Sequence, residues 1–241
     1  MILLDPLARL VIAHRGASGM FPENTLLAFR RALDAGAHAL ELDVNMSSDD
    51  VPLVIHDSTL DRTTSGRGAV RARTSGEVQR LDAGQGEPVP TLADVLESFV
   101  DVPLIVELKD PAAAPAVSTM LKRTGAVKRV LVGSFRHAAV TPCRRAGVTT
   151  AASRRDTAVF WAMSRTTVRR ARRQKYQAFT VPEWWRSLRV VDRRFIDRAR
   201  NADLPVHVWT VDEPAAATRL WQSGVSGIMT NVPERLLPLL S

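Results

Sequence analysis

The 241-residue sequence has one cysteine, Cys143, which excludes an internal disulfide and any Cys-x-x-Cys metal or redox motif. Cys143 reads as a packing residue. No apolar run approaches the ~20 residues needed to cross a bilayer. The N-terminus, MILLDPLARLVIAHRG, lacks a basic leader, a long apolar core and a small-residue cleavage site, and is broken by Asp5, Pro6 and Arg9. A soluble cytoplasmic protein is therefore expected. Fixed-period repeats, interdomain linkers and low-complexity tracts are also missing. With 45% apolar and 24% charged residues the chain is globular in composition, which excludes a disordered one. Lysine is scarce, supplying only four of the 33 basic residues. The net charge of +8 still points to anionic partners.

What is present is alternation. Short β-like runs (LVIAH, ALELDV, PLVIHD, LIVELK, RVLVGS, TTAAS, AFTVP, VHVWTV and GIMT) are separated by helical patterns, the mark of βα units on a parallel sheet. Nine runs are one too many for a (β/α)8 barrel. Only NMSSDDV separates the second from the third, too little for a parallel crossover, so those two should form an antiparallel hairpin folding about Ser48–Asp49. Eight staves remain, and about 250 residues is the usual size of such a barrel. Asn24 is expected to cap the first helix and Thr91 the helix at LADVLESF. Later helices are expected over 111–123, 136–146, 156–173, 192–202, 213–223 and 232–240. Residues 61–90, rich in Gly, Arg, Thr and Ser, read as a short insertion after the second strand and its hairpin. The chain is then a single domain over 1–241.

Strand ends of such a barrel converge on one mouth. His14 and Arg15 close the first strand. Glu41 and Asp43 share one face of the second, Glu107 and Lys109 one face of the third parallel strand, and the hairpin brings His56 opposite Glu41. Three carboxylates crowded together raise one another's pKa or recruit a cation. Hard oxygen donors favour Mg²⁺ or Ca²⁺ over zinc, and Arg15 and Lys109 favour an anion. A cation beside two fixed positive groups describes a phosphate site. Two histidines there fit acid–base cleavage of a phosphodiester.

The ordered motifs HRG, PENT, E-x-D, HD and E-x-K, with VPTLADVLESF, GSF, VHVWTV and GVSGIMTNVPE, resemble the glycerophosphodiester phosphodiesterase family. Similarity is dense over about 10–110 and returns at 204–236. The resemblance implies a barrel in which Glu41, Asp43 and Glu107 hold one divalent cation, His14 and His56 are the acid–base pair, and Arg15 and Lys109 hold the phosphate. It implies attack of the glycerol 2-hydroxyl on phosphorus, with the metal holding that hydroxyl and a phosphate oxygen, and products sn-glycerol 3-phosphate and an alcohol. It also places Glu23 and Asn24 near the site and Trp209 against the glycerol. Asn231 stands where the family often has Asp.

Two other readings are open. A phospholipase D-like or lysophospholipase D-type enzyme would use the same barrel on larger lipids, and a non-catalytic barrel would use the positive charge to bind a polyanion. Glu41, Asp43 and Glu107 would repel a polyanion, so no nucleic-acid partner is expected. The most basic stretch, 154–175, reads as the solvated outer face of a barrel helix, with contact to anionic lipid or nucleic acid, aided by Trp184-Trp185, as its alternative.

Overall fold

Val, Ile and Leu fill the paired segments because a parallel barrel is covered on both faces. The computed structural model describes residues 1–166 and 174–240. Its elements in chain order are β1 (Leu10–His14), α1 (Leu26–Asp34), β2 (Ala39–Met46), β3 (Pro52–Val54), α2 (Ser75–Val78), α3 (Leu92–Ser98), β4 (Leu104–Leu108), α4 (Ala113–Arg123) and β5 (Val130–Gly133). There follow α5 (His137–Arg145), α6 (Arg154–Met163), β6 (Phe179–Pro182), β7 (Trp184–Trp185), β8 (Leu188–Arg189), α7 (Arg193–Arg200), β9 (Val206–Trp209), α8 (Pro214–Ser223), β10 (Gly227–Thr230) and α9 (Pro233–Leu236).

The staves run β5-β4-β2-β1-β10-β9-β6 and are parallel throughout. Thr150 and Ala151 fill the gap between β5 and β6, through parallel bridges Val132–Thr150 and Ala151–Ala178. The TTAAS run is thus a stave only two bridges long. Gly147, at φ 77°, ends the preceding turn, and Ser153 is already committed to capping α6 with Asp156. The architecture is the expected (β/α)8 barrel.

β3 pairs antiparallel with β2 as anticipated, but in the register Val44–Val54, Asn45–Leu53 and Met46–Pro52. This centres the turn on Asp49, half a residue later than a fold about Ser48–Asp49, which shifts the pairing by one residue. His56 lies two residues past β3 instead of opposite Glu41. Residues 61–90 wrap over the hairpin and bury a small cluster of Leu53, Ile55, Leu60, Val70, Val78 and Val89.

The barrel interior is filled by Ile12, Ala39, Ile105, Leu131, Ala151, Ala178 and Met229, and Leu3 closes its floor. His207, fully buried there, donates from Nε2 to the Leu3 carbonyl at 2.9 Å. Burial lowers its pKa to about 4, which makes it a neutral floor residue. Cys143 is buried beside Ser118, consistent with packing.

The expected helices appear with trimmed ends. The one anticipated over 156–173 starts at Arg154, and its part over 167–173 lies outside the described residues. The one expected over 232–240 is α9 followed by a 3-10 turn at Leu237–Leu240, where Pro238 cannot continue an α-helical ladder. Thr91 caps α3 in a capping box with Asp94. Asn24 does not cap α1; Thr25 does, accepting from the Ala28 amide. Among the described residues no helix is long and apolar enough to cross a membrane.

Candidate active site

Strand register assembles the mouth. His14 pairs with Glu41 across β1 and β2, and Asp43 with Glu107 across β2 and β4. The period of two sends Glu41 and Asp43 to the same side. Glu41, Asp43 and Glu107 each offer an oxygen, and the three atoms lie within 4.8 Å of one another. Asp43 is fully buried and Glu41 nearly so. Asp43 Oδ1 has no aligned hydrogen bond, although Lys109 Nζ is 3.0 Å away. A buried carboxylate oxygen so placed, in an all-oxygen donor set, fits a hard divalent cation.

The two cations are interleaved with these acids. Arg15 Nε is 3.1 Å from Asp43 Oδ2, and Lys109 Nζ is 2.9 Å from Glu107 Oε2. Burial drives Glu41 well above the usual carboxylate range, with repulsion from Asp43 and Glu107 adding to it. Burial likewise raises Glu107 against the pull of Lys109. It would raise Asp43 too, but Lys109 and Arg15 outweigh it and hold that carboxyl low. Lys109 is desolvated, yet Asp43 and Glu107 keep its pKa above the ordinary value. The site is therefore short of one positive charge for its three acids to ionise together.

Local backbone explains the HRG and PENT motifs. Arg15 and Asn24 both adopt left-handed φ, 59° and 60°, and the Asn24 amide donates to the Arg15 carbonyl at 3.0 Å. Such conformations persist only where surroundings enforce them. Gly16, at φ 83°, has no room for a Cβ, which would lie 2.6 Å from the Ala28 backbone. Freed from capping, Asn24 donates from Nδ2 to Asp43 Oδ2 and accepts from the Asp43 amide.

His14 is held from a distant strand end. Asn231 donates from Nδ2 to Asp212 Oδ2 at 2.8 Å, an acceptor only, which turns Oδ1 toward His14 Nδ1, also at 2.8 Å. His14 therefore carries its proton on Nδ1 when neutral and leaves Nε2 bare, 3.9 Å from Glu41 Oε2. Burial lowers its pKa, partly countered by the bond to Asn231. The negative charge missing from Asn231 sits one bond further out, on Asp212.

His56 is positioned from the insertion. Asn45 Nδ2 donates to the carbonyls of Ile55, His56 and Asp57, and His56 Nδ1 lies 2.6 Å from Asp57 Oδ1. Arg62 then grips Asp57 through Nε at 2.7 Å and Glu23 through both terminal nitrogens at 2.8 and 2.9 Å. Glu23 in turn holds Arg15 Nη1 at 2.9 Å. The Arg62 fork is the main reason the Asp57 carboxyl is held far below its usual range. A lysine cannot span both carboxylates. Arg62→Lys is expected to lower kcat/KM by between about tenfold and 10²-fold, the scale of small misplacements, with kcat and KM both moving because His56 and Arg15 are released together. Steady-state kinetics within twofold of wild type would dismiss this role.

A cavity of about 380 Å³ holds His14, Arg15, Glu41, His56, Glu107 and Lys109 together. The sequence named six of these residues and Trp209, which also lines the cavity and meets Phe135 edge to face at 5.4 Å. Asp43 lies just beneath, behind Arg15 and Lys109. Asp57 stood in the quoted HD motif without a role, and Asn45, Arg62, Asp212 and the acceptor role of Asn231 went unseen in the sequence. Asp57 adjoins His56, which is the one available signal.

Acids arranged for a cation beside bases arranged for an anion make this mouth one for phosphoryl chemistry, and the protein a barrel phosphodiesterase by class. Over residues 14–235 the chain matches the sequence profile of the Glycerophosphoryl diester phosphodiesterase family, and it belongs to that family. It is 31% identical to a glycerophosphodiester phosphodiesterase of Caldanaerobacter subterraneus subsp. tengcongensis, over 96% of this chain and 97% of that one. The glycerophosphodiester phosphodiesterase structure from Agrobacterium tumefaciens superposes with a TM-score of 0.78 at 29% identity, covering 95% of this chain and 98% of that one. An Oleispira antarctica phosphodiesterase, solved in complex with the product sn-glycerol-3-phosphate, shares the fold at a TM-score of 0.78 and 24% identity, each chain covered to 96%. The chain is an enzyme that hydrolyses glycerophosphodiesters.

Proposed function

We propose that this chain, acting as one catalytic domain, hydrolyses glycerophosphodiesters to sn-glycerol 3-phosphate and an alcohol by histidine acid–base catalysis that depends on a divalent cation, Mg²⁺ or Ca²⁺. The observation that carries the reading is the approach of Glu41, Asp43 and Glu107 oxygens to within 4.8 Å in one mouth with two histidines. When bound by those three carboxylates, the cation supplies Lewis acidity toward phosphate and hydroxyl oxygens. Arg15 and Lys109 take the phosphate, exchanging part of their pairing with Asp43 and Glu107 for it. His14, bare at Nε2, accepts the proton of the attacking glycerol 2-hydroxyl and His56 gives one to the leaving alkoxide, which leaves a cyclic glycerol phosphate; water then opens that ring with the two proton transfers reversed, giving sn-glycerol 3-phosphate. Trp209 offers an apolar wall to the glycerol carbons. Placement in the cytoplasm, within lipid and glycerol metabolism, is part of the same proposal.

A second reading, a lipid phosphodiester, is favoured by one feature: the same cavity also has an apolar wall, its apolar arm, formed by Trp161, Val181, Pro182, Trp185, Leu188 and Val190. Release of glycerol 3-phosphate from glycerophosphocholine should require Mg²⁺ or Ca²⁺ and cease in EDTA. Full turnover in EDTA would remove the cation from the mechanism; no release with either metal would shift the substrate to lysophospholipids.

A further inference from the structure

We infer that the β7–β8 hairpin and the start of α6 form a docking face for an anionic lipid bilayer, from which a glycerophosphodiester bearing an acyl chain enters the apolar arm. This rests on the reading of the site as glycerophosphodiester-cleaving. The hairpin connects β6 to α7, so it stands on the same end of the barrel as the chemistry. It forms a two-stranded sheet of its own outside the barrel. Trp184, Trp185 and Leu188 are 52%, 39% and 42% exposed, and Val159 on α6 is 53% exposed. Trp185 and Leu188 also line the arm, so exposed apolar side chains of the hairpin form part of the cavity wall.

The charge around this patch is one-sided. Glu183 at the hairpin base is gripped by Arg219 at 2.8 Å through both oxygens and by Arg189 at 3.2 Å. Asp192 is paired with Arg165, and Asp156 with Arg144. Arg154, Arg155 and Arg186 have no carboxylate within 4.0 Å among the described residues. Exposed indoles among arginines suit the headgroup boundary of an anionic bilayer. A nucleic acid fits less well, because base stacking needs open aromatic faces. Arg154 lies over Trp185 at 4.2 Å, and Arg189 over Trp184 at 5.6 Å.

The test is cosedimentation of the full chain with phosphatidylcholine vesicles, with and without phosphatidylglycerol. Binding is expected only with phosphatidylglycerol and should weaken with salt. In R155S/R186S it should fall about 25-fold, each arginine near such a surface being worth about fivefold. Trp184→Ser should weaken it further. These variants should cleave glycerophosphocholine at the wild-type rate but lose turnover of lysophospholipid presented in the anionic vesicles. Wild-type binding that ignores phosphatidylglycerol, or variants that bind as wild type, would overturn the docking face. So would binding of duplex DNA with none to vesicles. Vesicle binding that depends on these residues, in a chain inactive on every glycerophosphodiester, would uphold the face and overturn the chemical reading alone.

Discussion

His14→Ala lowers kcat on glycerophosphocholine by roughly 10²–10⁴-fold, the usual contribution of a positioned acid–base group, while KM stays within a few-fold of wild type. The two parts of this expectation come from separate groups. In the proposed mechanism Arg15 and Lys109 hold the anion, and the change leaves both side chains in place. His14 Nε2 is the end of the Asp212–Asn231–His14 chain that faces Glu41, 3.9 Å from its Oε2. Because burial depresses the His14 pKa, the imidazole is neutral at pH 7 and ready to accept a proton. Acidification through that depressed pKa should reduce kcat/KM in wild type, and the limb should vanish from the residual activity of the variant. A loss smaller than tenfold in steady-state kinetics would assign the proton transfer elsewhere, with His56→Ala as the next variant to assay.

Glu41→Gln is expected to abolish cation-dependent activity and, without metal, to stabilise the protein at neutral pH. Burial first, then Asp43 and Glu107, raise the Glu41 carboxyl above its unfolded value. The folded state therefore binds the proton more tightly than the unfolded one. Stability from this group is present below the unfolded pKa and is lost as pH rises through the folded pKa. At pH 7 the metal-free wild type bears that cost, whereas glutamine never ionises. The melting temperature of the metal-free variant should exceed that of wild type by a few degrees, about 1 kcal/mol being worth ~2–4 °C at this size. Added Mg²⁺ or Ca²⁺ should raise the melting temperature of wild type alone. Calorimetry with and without the cations checks both; a variant less stable than wild type without metal would contradict the charge argument.

The barrel and most of its mouth were legible because strand periodicity is local. Glu41 with Asp43, and Glu107 with Lys109, need only a period of two, and the short NMSSDDV link dictated a hairpin. The capping of α1 was misread because Asn24 and Thr25 are both good caps, and only the third dimension shows Asn24 bonded to Asp43. The support of His14 was illegible for a related reason. Asn231 and His14 meet across 217 residues, and Asp212 acts through Asn231, so neither leaves a spacing pattern. Arg62 looked like one arginine among many in a loop rich in them.

The seam between β5 and β6, only two bridges wide, divides the molecule in a way that bears on its evolution. On one side, the staves carrying the carboxylates, β2 and β4, share a core with β5. On the other, β6 and β9 and the helices flanking the apolar arm are built into a second core. The carboxylates and the apolar arm thus rest on separately packed halves, joined where the wall is thinnest. Mutations that reshape the arm can be absorbed by their own core, leaving the acids in register, so a change of alcohol is an easier step for this protein than a change of reaction.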